Sequence, residues 1–346
     1  MAIIYHEHRD TLDLKDAFSI NADLFVEMLT DALDFNKQAS EDDFFNICIE
    51  CITSGVYKQL IDSTPLRNDI LSAKNIEGEA AIVSAIKKYP RARSFFTALF
   101  KELDVEALKD SDRNGLTIIA ATLGHAVCIE KLIEGAIKAS TFDRRDDVLE
   151  KMLLAEFPGQ GPAYAIRLAA QNGHAACIEK LIEGATKVSA SDKRDDVLEK
   201  MLLAEFPGQS LAHAIRTAAQ NGHAVCIEKL IEGAIKASTS DRRDALLEQM
   251  LLAELSGRGP AHAIRVAAQN GHAACIEKLI EGAIKASTSD RRDALLEQML
   301  LAGSFEQDLA YAIRTAAQNG HAACVEKLIE GAIKASTSDI GLWINL

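Results

Sequence analysis

From about residue 114 onward, apolar residues recur three and four positions apart in blocks that punctuation residues cut to helical length. In the stretch 163–211 the run A-Y-A-I-R-L-A-A-Q reads as a short helix of strong helix formers, closed by Asn172-Gly173, since glycine tolerates the left-handed conformation at a helix end. A second helix begins near His174. It carries Cys177, Ile178, Leu181, Ile182, Ala185 and Val188 as a stripe, with Glu179, Lys180 and Glu183 outside it. Gly184 falls within the stripe and is read as a tolerated interior glycine. Ser191-Asp192 then supplies cap chemistry, Asp195 and Asp196 suit the positive end of a helix, and a third helix runs through Val197, Leu198, Met201, Leu202 and Leu203 until Pro207-Gly208 stops it. No stretch alternates with period two, so the pattern predicts an all-α fold.

The same three helices are written again and again. His174, His223, His272 and His321 each end the hexapeptide AAQNGH and lie 49 residues apart, and a further step back reaches His125 in a more diverged copy. Periods of this length indicate a solenoid, in which each unit covers its apolar face only with its neighbours. The expected organisation is an acidic helical cap over 1–76, a degenerate unit over 77–113, and five repeats at 114–162, 163–211, 212–260, 261–309 and 310–346.

"YAIRLAAQNGHAACIEKLIEGA" resembles the helix-turn-helix half of an ankyrin repeat, through Ala169-Ala170, Asn172-Gly173-His174, Cys177-Ile178 and Leu181-Ile182. The resemblance covers about half of each unit, and extends more loosely to "GEAAIVSAIKKYP" and "FFTALFKELDVEALKDSD" upstream. It implies an α-solenoid of ankyrin-like units, each extended by a third helix, whose histidine belongs to the turn and bonds to backbone there. The units depart from the family where Tyr164-Ala165-Ile166-Arg167 replaces Thr-Pro-Leu-His, and where an Asp-Arg-Arg-Asp helix stands in place of the β-hairpin finger. With no conventional signal peptide, the resemblance points to a bacterial protein of this type, placed in the cytoplasm of the producing cell or, if delivered as an effector, of a host cell.

Composition narrows the function. Of 346 residues, 48% are hydrophobic and 5% aromatic, material for an aliphatic core. The net charge of -13 is uneven: residues 1–50 hold 12 Asp or Glu against 3 Lys or Arg, while 212–260 holds six of each. No clustered positive face offers itself to nucleic acid, and no apolar run approaches the ~18–20 residues of a membrane span. Cys128, Cys177, Cys226, Cys275 and Cys324 share one slot of the repeat. Equivalent slots lie ~8–10 Å apart in a helical stack, too far for disulfides, so reduced thiols in a cytoplasm are expected.

Several residues invite a chemical reading. Each G-H-x-x-C places imidazole and thiol on one helical face, but offers a metal only two ligands where zinc takes four. His6-Glu7-His8 and Cys48-x-x-Cys51 read as a chain end and a core spacing. No phosphate loop, dinucleotide fingerprint, nucleophile elbow or H-E-x-x-H is present. Neither a cofactor, a metal nor an enzymatic activity is therefore expected.

Recognition falls to a repeated slot on the short helix. Arg167, Arg216, Arg265 and Arg314 form a ladder of charge, either facing a partner or paired with carboxylates such as Glu179 and Glu228. Tyr164, His213, His262 and Tyr311 vary between otherwise near-identical units, as do Leu168, Thr217, Val266 and Thr315. The expected function is a scaffold presenting an elongated surface to another protein. The alternative is an activity within 1–113 served by the repeats as a docking arm. The apolar Ile340, Leu342, Trp343, Ile344 and Leu346 either seal the array or mediate self-association.

Overall fold

The computed structural model describes residues 110–156, 161–204, 212–253, 261–286, 288–301 and 311–335. The expected cap and degenerate unit, the His6-Glu7-His8 and Cys48/Cys51 groups, and the 340–346 segment lie outside them. The chain divides into two compact units, Met1–Ala139 and Ser140–Leu346.

In the first unit, α1 (Asp110–Leu123) and α2 (Ala126–Ala139) form an antiparallel pair around Leu116, Ile119, Ile129, Leu132 and Ile133, all nearly inaccessible. The second unit contains the remaining described helices: α3 (Phe142–Leu153), α4 (Tyr164–Gln171), α5 (Ala175–Thr186), α6 (Ser191–Leu202), α7 (His213–Gln220), α8 (Ala224–Ile235), α9 (Ser240–Leu251), α10 (His262–Asn270), α11 (Ala273–Ile284), α12 (Ser289–Leu301), α13 (Tyr311–Gln318) and α14 (Ala322–Ala335). The described residues are all-α, and those of the second unit form an α-solenoid with three helices to each complete repeat.

Three columns result. First helices α4, α7, α10 and α13 pack on one another in order, as do second helices α5, α8, α11 and α14. Third helices α3, α6, α9 and α12 touch each other far less. Instead, α6 packs against both α5 of its own repeat and α8 of the next, and α9 and α12 repeat the arrangement. The helices α6, α9 and α12 thus each brace two successive second helices. The apolar stripe explains the packing: Ile178, Leu181, Ile227, Leu230, Ile276 and Leu279 are 0% exposed, and complete burial of such a side chain is worth ~1.5–3 kcal/mol.

The interior glycine has a more specific task than the tolerated one expected of it. A Cβ on Gly233 would lie 2.7 Å from Ile182 Cδ1, and on Gly282 or Gly331 only 2.5 Å from the Cδ1 of Ile231 or Ile280. Each isoleucine is a knob seated in the gap that the next repeat's glycine leaves. The helical pattern of one unit cannot show this, because the contact is made between units.

Two further junctions join the units. Ala163, Ala212 and Ala261 begin the first helices with φ of 51°, 55° and 54°, a left-handed conformation that costs an L-residue ~1–2 kcal/mol. Paired backbone bonds hold them there: Ala212 N–H donates to Leu203 O at 3.3 Å and His213 N–H to Ala204 O at 3.2 Å, and the same pair recurs at Ala163 and Ala261. The second junction uses Asp195, expected merely to favour a helix start. It is 2% exposed, accepts from Ser238 N–H at 3.1 Å and from the Ser238 hydroxyl, and faces Arg242 Nη1 at 3.5 Å. Asp146 likewise accepts from Ser189 N–H at 3.0 Å and Ala190 N–H at 3.3 Å, and Asp244 from Arg291 Nη1 at 2.9 Å. Asp146 and Asp195 thus grip the approach to the next third helix, and Asp244 grips its first turn. The caps themselves sit one residue earlier than Ser191-Asp192 implies. Ala190 occupies the cap position of α6 without a side-chain bond, whereas Thr239 Oγ1 accepts from Arg242 N–H at 3.2 Å in α9.

Candidate interaction surface

The hexapeptide serves the junctions between units, residue by residue. Gly173, at φ +79°, ends α4, and His174 N–H closes back onto Ala169 O at 2.8 Å, the closure typical of a helix ending in a left-handed glycine. The His174 carbonyl then accepts from Cys177 and Ile178 to start α5. Across the junction, Asn221 Nδ2 donates to Gln171 O at 3.0 Å and His223 Nε2 to the same oxygen at 3.2 Å. Asn270 and His272 repeat this on Gln220, and Asn319 and His321 on Gln269. A Cβ on Gly173 would fall 2.8 Å from the His223 ring, so the glycine is required by the imidazole as well as by the turn. The histidine therefore bonds to backbone, as the resemblance implies, but to that of the preceding unit.

All eight residues singled out for recognition lie in one column. Arg167 stacks over Tyr164 at 5.2 Å, Arg216 donates to His213 Nδ1, Arg265 reaches His262 Nδ1 at 3.3 Å, and Tyr311 lies under both Arg265 at 5.6 Å and Arg314 at 5.5 Å. This column is largely interior. Arg167, Arg216 and Arg265 are 3%, 9% and 5% exposed and His262 is buried, while Tyr164, His213 and Tyr311 are half-buried and only Arg314 is exposed. Burial lowers the pKa of Arg167 and Arg216 from the ordinary guanidinium value. Burial, with Arg216 and Arg167 nearby, also takes His213 down to about 3, so its ring is neutral at physiological pH. The variable positions beside the column, Leu168, Thr217 and Thr315, are buried as well.

Glu179 and Glu228, considered as partners for these arginines, are occupied elsewhere. Lys229 Nζ meets Glu179 at 2.9 Å and Glu232 of its own helix at 3.0 Å; Lys278 does the same with Glu228 and Glu281, and Lys327 with Glu277 and Glu330. The result is a series of three-residue ion-pair groups, one at each of these junctions of the second-helix column. Its hydrogen bonds hold Glu179, Glu228 and Glu277 below the usual carboxylate range and raise the three lysines.

What the junctions leave outside is a rim at the Asn-Gly-His turns. Gln171, Gln220, Gln269 and Gln318 are exposed there, next to Ala176, Val225, Ala274 and Ala323 at one slot of the second helices. Val225 is 55% exposed. The search for charged or varied residues misses this rim, because three of its four members at the apolar slot are alanine. The available signal was the break in that slot at Val225.

Cys128, Cys177, Cys226, Cys275 and Cys324 are free and buried, and burial pushes the thiols of Cys226 and Cys275 up to about 12, where they stay protonated. Among the described residues no group of three or more His, Cys, Asp or Glu is placed to hold a metal ion. Between α9 and α12 lies a cleft of about 210 Å³ bordered by Asp241, Asp244, Glu248, Leu252, Arg291 and Leu295, below the ~300–1,000 Å³ of ordinary ligand pockets. Arg291 already pairs there with Asp241 and Asp244. No described helix is long and apolar enough to cross a membrane. Comparison with known proteins finds no match to the chain among family models, curated proteins or solved structures.

Proposed function

We propose that this chain is a non-enzymatic scaffold, built of ankyrin-derived units lengthened by a third helix, that presents its repeat surface to a partner protein. The observation that carries the reading is the division of labour among polar side chains. Asn, His, Asp, Lys and Glu at repeated slots are committed to unit-to-unit bonds. The glutamines of the turn rim and Val225 remain exposed at a constant sequence interval. A row of identical contacts lets affinity accumulate over several units without a pocket. The Tyr/His–Arg column serves stacking in this scheme, except at Arg314. Buried, protonated thiols suit a reducing compartment, the cytoplasm of the producing cell or of a host cell that receives the protein.

The test is affinity purification with the full chain against a rim variant, Gln220→Glu/Val225→Asp/Gln269→Glu. The expected result is a protein partner retained by the wild type and lost by the variant, with far-UV circular dichroism unchanged. Equal retention of the same proteins by both would remove the rim as the binding surface.

A further inference from the structure

One end of the second compact unit shows stacking slots without a neighbour among the described residues. Ile329 occupies the knob position of Ile182, Ile231 and Ile280, which are 2%, 1% and 3% exposed, yet it is 46% exposed, and Ile333 one turn further on is 69% exposed. Ala317 is exposed where Ala170, Ala219 and Ala268 are fully buried. Gly320 has nothing within 4 Å of a would-be Cβ, whereas Gly173, Gly222 and Gly271 each lie under the next unit's imidazole. The same face that every earlier repeat covers is thus open on α13 and α14.

We propose that residues 340–346 of this same chain fold back over that face and take the place of a following unit. Their chemistry differs from that of their counterparts. Where the preceding repeat has Arg291, Arg292 and Asp293, this segment has Ile340, Gly341 and Leu342, followed by Trp343, Ile344 and Leu346. The arginine that pairs backwards with the previous unit and the aspartate that grips the next are both replaced. Leu342 stands in the slot of Asp146, Asp195 and Asp244, so the segment is made to cover an apolar surface rather than to extend the clamp.

The connection is short enough. Residues 336–339 bridge up to ~14 Å when extended, while Ile333 and Ile329 sit two and six residues before the end of α14, ~3 and ~9 Å back along its axis. So short a tether sets an effective concentration of about millimolar, well above that of a second molecule at ordinary protein concentrations. Closure within the chain therefore wins over self-association through the same face.

Trp343 is the only tryptophan in the chain, which makes its fluorescence a direct reporter. In the full-length protein its emission should be blue-shifted and shielded from acrylamide, independently of protein concentration, with the protein monomeric. In Ile329→Asp/Ile333→Asp the emission should move to the red and acrylamide quenching rise several-fold, while far-UV circular dichroism is kept. Should the double variant lose helicity, Ile333→Asp alone gives the same readout at a side chain that is already mostly exposed. An accessible Trp343 in the wild type overturns the proposal. So does shielding that appears only with a concentration-dependent dimer, which assigns the face to a second copy, or shielding that neither substitution disturbs.

Discussion

Replacing Gly233 with alanine sets two effects of known size against each other. Alanine in a helix interior is favoured over glycine by ~1 kcal/mol. Its Cβ, however, would stand 2.7 Å from Cδ1 and 3.3 Å from Cγ1 of Ile182, a side chain only 2% exposed that has little room to turn aside. Overpacking of this kind costs ~1–3 kcal/mol, so Gly233→Ala should be neutral to destabilising by ~2 kcal/mol, against its helix propensity. Ile182→Val removes the offending Cδ1 and by itself should cost ~0.5–1.5 kcal/mol. Together the two changes exchange one methyl for another in the same space. The double variant should then be close to wild type, with a favourable coupling on the order of 1–3 kcal/mol. Urea unfolding of the four proteins, followed by far-UV circular dichroism, measures the cycle. Strict additivity of the two single effects would refute the knob-and-gap account of the junction.

Asp195→Ala should lower stability by ~1–3 kcal/mol, because it removes a buried charged acceptor that holds the Ser238 N–H and hydroxyl, whereas Asp196→Ala, at an exposed position, should change it by less than ~0.5 kcal/mol; thermal unfolding of the pair separates the clamp from a general charge effect. His213, with its pKa depressed from 6.5 to about 3, contributes stability that is full above pH 6.5 and declines as pH falls toward 3. His213→Tyr, which installs the residue found at 164 and 311, should flatten that part of the stability profile measured by denaturation from neutral to acid pH. The Glu179→Gln/Glu228→Gln/Glu277→Gln variant should lose acid sensitivity lower down, since carboxyls held below 4.5 support the fold above that value and release it as pH drops through their folded values. Cys226 and Cys275 should resist a thiol reagent at neutral pH until denaturant is added, and rapid labelling of the folded chain would contradict their burial.

The helices, their order and their 49-residue period were legible because each rests on local signals: the spacing of apolar residues, the Asn-Gly turn and the Pro-Gly stop. Junction chemistry was not, because it joins residues about 50 positions apart. Asp195 looked like a helix-start carboxylate since aspartate is common there. Comparison among the copies holds the missing clue: 146, 195, 244 and 293 are all Asp, while the adjoining 147, 196, 245 and 294 read Asp, Asp, Ala, Ala. The arginine slot was read as surface because charge usually is. Yet Arg216 lies between Ile215 and the Ala218-Ala219 pair, all 0% exposed, and the short helix is too tightly packed on both sides to leave its guanidinium outside. The left-handed alanines at 163, 212 and 261 carry no sequence signal, since their conformation is imposed by the backbone pair that joins one repeat to the next.

The asparagine, histidine and glycine contacts recur at three successive seams between the same slots, so one block can follow another without a new interface being needed. Unequal crossing-over between nearly identical coding segments adds or deletes 49 residues in frame, and every surviving seam is regenerated intact. Adding or removing one block therefore changes the reach of the array and the number of its seams together, while each remaining seam keeps its own contacts.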